Sequence, residues 1–204
     1  MAKFEVCCHK FADLSEANYG VSILNDSKYG FATCGHLMRL SLLRAPKAPD
    51  AHADMGRHHI RWAIMPHLGA LGADTVRAAH NFNNPMAVYA LTEGSDNAVF
   101  SSIHLGGSDS LVLDCVKRGE DDEDVARGGG GLARRPGRSV VLRIYEALGG
   151  RSRGTIEMSL PVKKVTKCNV LEDDGEVCRM YGGGPLKCDV ELRAFEVATF
   201  RLQL

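Results

Sequence analysis

Apolar and polar residues alternate along most of this chain with a period of two, the pattern of strands that bury one face. Phe4, Val6 and Cys8 interleave with Glu5, Cys7 and His9, and residues 37–43, 60–64 and 86–91 form further short apolar segments. Trp62 alternates with Ile60 and Ile64, so its ring is expected on a buried face. Residues 140–145, 155–160, 162–170, 186–192 and 198–204 read as later strands. In the last of these, Ala198, Phe200, Leu202 and Leu204 point one way and Thr199, Arg201 and Gln203 the other, which predicts a half-buried antiparallel strand. One helix is predicted over residues 74–83. Asp74 is placed to cap its first turn, Val76, Ala79 and His80 share a face, and Pro85 lies just beyond its end. Turn residues at Asn25-Asp26 and Tyr29-Gly30 separate the early strands. The spacing predicts an all-β protein of β-sandwich type.

Composition supports a folded chain. Of 204 residues, 45% are hydrophobic and 25% charged, enough apolar material for a core. Lys plus Arg and Asp plus Glu number 25 each, and no basic run carries interleaved aromatics, which argues against nucleic-acid and membrane-surface partners. The start lacks an apolar stretch long enough for a signal peptide and no later segment is long enough to span a bilayer, so a cytoplasmic location is expected. Seven cysteines without a C-x-x-C pair form neither a disulfide framework nor a zinc knuckle. Cys168, Cys178 and Cys188 recur at equal spacing. Three thiolates can hold a soft metal, but free cysteines in candidate strands more often serve as small buried hydrophobes.

After Cys115 the composition changes. The acidic run Glu120-Asp121-Asp122-Glu123-Asp124 is followed by four glycines at 128–131 and by Arg134-Arg135-Pro136-Gly137-Arg138. Such a segment repels itself and buries little, so residues 117–138 are expected to form a disordered surface loop.

Three ordered segments carry a family resemblance: Asn25-Asp26-Ser27-Lys28-Tyr29-Gly30, Leu42-Leu43-Arg44-Ala45-Pro46-Lys47-Ala48-Pro49-Asp50, and Asp54-Met55-Gly56-Arg57-His58. Leu142-Arg143-Ile144-Tyr145-Glu146-Ala147 adds a fourth. Together they resemble the C-terminal β region of class II α-mannosidases, glycoside hydrolase family 38, in the wording of the cytosolic branch. The resemblance implies residues 1–95 as the end of a galactose-mutarotase-like β-supersandwich and residues 96–204 as a smaller terminal β-sandwich, with a linker at residues 93–97. It further implies a domain that begins upstream of Met1, leaving an unpaired sheet edge. The retaining hydrolysis of α-mannosides and its divalent metal, zinc or cobalt, would belong to an N-terminal catalytic domain. This chain would then hold no catalytic residue, no metal and no cofactor, and would be inactive alone. Its partners would be that catalytic domain, an α-mannoside oligosaccharide through the complete enzyme, and further copies in a homo-oligomer.

The residues themselves offer few rivals to that reading. Retaining glycosidases need two carboxylates about 5 to 5.5 Å apart, and spacing pairs none of Asp13, Glu16, Asp26, Asp50 and Asp54. His52, Asp54, His58 and His59 fall close together, yet adjacent His58 and His59 would point to opposite faces of a strand and not share an ion. His67, after Pro66, is expected to hold a turn or cap a sheet end. The glycine clusters at 128–131 and 182–184 lack the Lys-Ser/Thr ending of a phosphate loop, and residues 106–110 lack a nucleophile elbow. Arg44, Asn25, Asp26, Lys28 and Tyr29 are the substrate-proximal candidates, since guanidinium, amide and carboxylate groups read sugar hydroxyls by paired hydrogen bonds. The resemblance implies that Arg44 reaches the edge of the mannose site. Alternatively Arg44 pairs with Asp50 or Asp54, and the other four are hairpin-turn residues. A free-standing carbohydrate-binding or protein-interaction module is the second functional class. Aromatics at 6% with one tryptophan speak against a sugar platform.

Overall fold

A computed structural model describes residues 4–90, 94, 101–125 and 135–204. The chain forms two compact units, residues 1–91 and 92–204. Apart from Gly94, the linker expected at 93–97 lies outside the described residues.

The first unit contains β1 (Val6–Cys7), β2 (Phe11–Ser15), β3 (Tyr19–Asp26), β4 (Gly30–Cys34), β5 (Leu37–Leu40), β6 (Arg61–Leu68) and α1 (Ala73–Asn83). These strands make two antiparallel three-stranded sheets, β1-β4-β5 and β2-β3-β6. The β4–β5 hairpin turns on Gly35, whose φ of 57° is open to glycine at little cost. One face of the second sheet carries Ser22 and Leu24 against α1, which buries Thr75, Val76 and Ala79. The helix falls where the apolar period places it, but its cap differs. Gly72 occupies the N-cap without a side-chain hydrogen bond, and Asp74 lies in the first turn, 3.6 Å from Arg77. Asp74 thus contributes charge to the helix start in place of a cap.

Two other expectations fail here. Of the segment expected at 86–91, residue 91 lies outside the described residues; residues 86–90 form no strand, and Met86, Val88 and Tyr89 are exposed, because no strand among the described residues pairs with them. Asn25 and Asp26 end β3 in extended backbone, and the left-handed residue of the following turn is Ser27, with φ 70°.

The second unit contains β7 (Ile103–Gly107), β8 (Leu111–Arg118), β9 (Ser139–Glu146), β10 (Ser152–Met158), β11 (Lys164–Cys168), β12 (Asp174–Cys178), β13 (Met180–Tyr181), β14 (Leu186–Leu192) and β15 (Val197–Gln203). They form a four-stranded sheet, β13-β14-β10-β7, and a five-stranded sheet, β12-β11-β15-β9-β8. The inward positions of both sheets meet in one core: Leu142 and Ile144 from β9, Ile156 and Met158 from β10, Leu192 from β14 and Leu202 from β15. Each such side chain removed from water contributes about 1.5–3 kcal/mol. Cys188 belongs to this core, and burial, with the neighbouring Cys178 thiol, pushes its pKa up to about 12. That thiol behaves as a small hydrophobe, as the cysteine reading expects.

β15 is not half-buried. Thr199 and Arg201 on its polar face are as deeply buried as Ala198 and Leu202 on its apolar face. The cover comes from the acidic run, which corrects the expectation of a disordered loop from residue 117 onward. Residues 117–125 and 135–138 are tied to the sheet, and residues 126–134 lie outside the described residues. Arg201 Nη1 lies 2.6 Å from Asp121 and 3.9 Å from Asp122, and its Nη2 lies 3.3 Å from Glu172 Oε2. Fully buried Asp122 accepts hydrogen bonds from the Ser139 backbone N–H (2.7 Å), from Ser139 Oγ (2.6 Å) and from Arg118 (2.9 Å). Like charges that repel along the sequence are thus drawn together by a buried cation 80 residues away.

Close packing sets one further constraint. Gly154 on β10 pairs with Gly107 on β7, and a Cβ on Gly154 would lie 2.3 Å from the Gly106 carbonyl oxygen. Because backbone cannot yield there, Gly154→Ala is expected to destabilise the second unit by about 2–3 kcal/mol. Thermal unfolding of the purified variant checks this.

Candidate functional site

The five substrate-proximal candidates lie at the β3–β4 turn and after β5. Arg44 is exposed, at 68% of its side-chain surface, and its Nη2 donates to Glu5 Oε2. Glu5 Oε1 accepts from Ser41 Oγ, and the backbone N–H of Ser41 donates to the Gly30 carbonyl oxygen (2.8 Å). Arg44 is therefore fastened to the start of β4 through Glu5, not through Asp50 or Asp54. Asp54 instead accepts the Ala45 backbone N–H at 3.1 Å. The Arg44 guanidinium remains open on the faces that Glu5 does not use. Glu5 gave no signal in the sequence, since 39 residues separate it from Arg44.

The other four candidates do not gather around Arg44 through any hydrogen bond or ion pair among the described residues. Asn25 is fully buried, with its Nδ2 donating to the Cys8 carbonyl (3.3 Å) and its Oδ1 without a hydrogen-bond partner. Asp26 pairs with Arg61 at 3.2 Å on the sheet edge. Lys28 is half-buried. Tyr29 is partly exposed, its ring tilted beside His9 at 4.6 Å. Arg44 and Tyr29 remain as accessible groups near Gly30, while Asn25 holds the β1–β2 connection in place.

A second polar cluster escaped the sequence reading. Asp13 Oδ2 lies 2.6 Å from His67 Nε2 and accepts from Ser22 Oγ at 2.5 Å, on the face of β2-β3-β6 that α1 covers. Burial raises the Asp13 pKa, but Ser22, Ser15 and His67 outweigh it and hold the carboxyl below its ordinary value. The carboxylate is central and the serine bonds to it, not to the histidine, so no base activates Ser22 as a nucleophile. The role is structural. His67 braces the sheet from the penultimate position of β6, at the sheet end where it was expected, and Gly20 leaves the space its ring fills.

Among the described residues, no three His, Cys, Asp or Glu side chains are grouped so as to hold a metal ion; the one acidic convergence described above, Asp121, Asp122 and Glu172, is occupied by the Arg201 guanidinium. His58 Nε2 hydrogen-bonds the Asp54 carbonyl oxygen at 2.7 Å and is not aimed at a shared ion with His52.

Two units built almost entirely of strands, the second a two-sheet sandwich, place this chain among β-sandwich proteins. The glycosyl hydrolases family 38 C-terminal domain matches residues 1–52, and the family 38 C-terminal beta sandwich domain matches residues 133–200. An α-mannosidase of Saccharomyces cerevisiae is 47% identical over 212 residues, covering 99% of this chain and 19% of the yeast protein. Alpha-mannosidase 2C1 of Homo sapiens is 39% identical over 84% of this chain and 15% of its own length. Alpha-mannosidase G of Dictyostelium discoideum is 33% identical over 98% of this chain and 17% of its own length. The chain belongs to glycosyl hydrolase family 38, of which it carries the C-terminal β region. It spans less than a fifth of the length of each curated relative. Among the described residues, no helix is long and apolar enough to cross a membrane.

Proposed function

We propose that this chain is the C-terminal β portion of a cytoplasmic α-mannosidase and supports the hydrolysis of terminal α-mannose residues by a catalytic domain outside these residues. The carrying observation is the match to the yeast α-mannosidase, which extends over 99% of this chain yet is confined to 19% of the relative. In this reading the nucleophile, the acid/base carboxylate and the divalent metal, zinc or cobalt, reside in the catalytic polypeptide, and the complete enzyme assembles as a homo-oligomer.

The geometry around Arg44 supports a part in sugar recognition. A guanidinium that is fixed by one carboxylate and otherwise exposed retains donors for two adjacent hydroxyls. In the complete enzyme, Arg44→Ala is expected to lower kcat/KM for a nitrophenyl α-mannoside about tenfold, the loss of one charge-assisted hydrogen bond. Unchanged turnover would remove Arg44 from the site.

The reading itself is tested by a chimera. This chain replaces the corresponding region of the yeast relative, and hydrolysis of a nitrophenyl α-mannoside is measured. Retained activity is expected. A chimera that folds and assembles but does not turn over would contradict the proposal.

A further inference from the structure

The sheet β2-β3-β6 has two unlike faces. One is furnished by α1. The other carries the polar Asn25, opposite Trp62 and buried beneath the β1–β2 connection, and beyond it is apolar and largely open. Register places Ile23 opposite Ile64, Val21 opposite Pro66, Tyr19 opposite Leu68 and, on the other side, Leu14 opposite Val21, so all these side chains share that face. Every second residue of β6 contributes to it, and Trp62, Ile64 and Leu68 are 50%, 59% and 89% exposed. An open cleft of about 660 Å³, lined in part by Leu14, Tyr19, Val21 and Met38, adjoins it. A contiguous apolar sheet face of this kind marks a contact surface, since a strand that faces water alternates with polar residues there. The expectation that Trp62 is buried is not met: among the described residues of the first unit its ring is half exposed.

Resting on the function proposed above, we infer that this face seats an apolar surface of the polypeptide that makes up the remaining four-fifths of the α-mannosidase. Two observations choose that occupant. The relatives match nearly all of this chain and extend far beyond it, with 81% of the yeast protein, 100% less the 19% matched, outside the matched stretch. The shape of the seat also fits a packing layer better than an added strand. β6 is an edge strand of its sheet, and Pro66 removes an N–H donor in its second half. A partner that packs face-on avoids that gap.

Trp62 is the sole tryptophan of the chain, so its fluorescence reads this face directly. In the isolated chain its emission is expected to be red-shifted and readily quenched by acrylamide, unchanged by protein concentration and by mannose oligosaccharides. In the chimera with the yeast relative, residue-resolved oxidative footprinting is expected to show Trp62, Ile64 and Leu68 protected several-fold relative to the isolated chain. Ile64→Lys, exposed in the isolated chain and therefore neutral to its folding, is expected to reduce the yield of assembled chimera several-fold. An active chimera that oxidises Trp62 as fast as the free chain would overturn this inference and leave the proposed function standing. An inactive chimera with Trp62 protected would do the reverse. Concentration-dependent burial of Trp62 in the isolated chain would assign the face to a second copy, and a blue shift with mannose oligosaccharides would assign it to sugar. Either would overturn the inference.

Discussion

Arg201→Met is expected to destabilise the second unit by roughly 3–5 kcal/mol, because it removes the buried cation on which Asp121, Asp122 and Glu172 converge. Arg201 is 3% exposed, and the Asp122 and Glu172 side chains at its guanidinium are 1% and 4% exposed. Methionine matches the volume of the aliphatic stem but takes the nearest buried cation from two carboxylates, leaving Asp122 with Ser139 and Arg118 and Glu172 with Lys117 and the Glu120 backbone N–H. The cost is therefore electrostatic and not a cavity. For a unit of this size the unfolding midpoint is expected to fall on the order of 10–20 °C. Adding Glu172→Gln to Arg201→Met should recover part of the loss, since one of the stranded charges is then gone. A change in midpoint within error would mean that the acidic run is solvated and not anchored to β15.

Glu146→Gln carries the second large effect. The Glu146 carboxylate is buried at the end of β9 and accepts backbone N–H groups from Leu148 (3.1 Å), Gly149 (2.7 Å) and Phe195 (3.1 Å). Burial pushes its pKa up, but the backbone N–H donors, led by those of Phe195 and Leu148, outweigh burial and hold it below the ordinary glutamate value. One carboxylate thereby closes the β9–β10 and β14–β15 connections. An amide presents a donor where one oxygen accepted, so at neutral pH a loss of about 2–3 kcal/mol is expected. The sign of the pH dependence follows from the depressed folded-state pKa. The stabilisation is complete above the unfolded-state value, near 4, and is lost as pH falls through the folded value. Asp121 and Asp122 act in the same direction: burial raises both, while Arg201 and Arg135 lower the first and Ser139 and Arg118 lower the second by more. Denaturant titrations between neutral pH and pH 3 should therefore show the wild type losing stability in acid. The gap to Glu146→Gln should narrow as the wild-type carboxyl protonates. A gap that stays constant with pH would show that Glu146 is not the charged anchor of these turns.

The strands of the second unit were legible because their alternation coincides with a core present in the chain. Leu186–Leu192 is a strand with the bounds that its pattern predicts, and Ala198, Phe200 and Leu202 point inward as expected. Thr199 and Arg201 were misread for a specific reason. Alternation reports which face is apolar, but not whether a distant charged segment roofs the polar face. Trp62 shows the converse failure. Its alternation with Ile64 marks an apolar face but does not report what lies over that face, and the ring expected to be buried is half exposed. At the candidate site, residue types pointed to Arg44 and its turn, yet the contact that fixes Arg44 comes from Glu5 at the start of the chain. Asn25, chosen for its turn propensity, proved to be a buried brace. The Asp13–His67 contact spans 54 residues between two strands of one sheet, and no local spacing announces it.

The central claim is that these units are scaffold and that the chemistry of mannoside cleavage lies in other polypeptide. It is tested most directly by assaying the purified 204-residue chain against a nitrophenyl α-mannoside, with and without added zinc or cobalt. No hydrolysis above the uncatalysed rate is predicted under either condition. Metal-dependent release of nitrophenol that co-purifies with the chain would contradict the account.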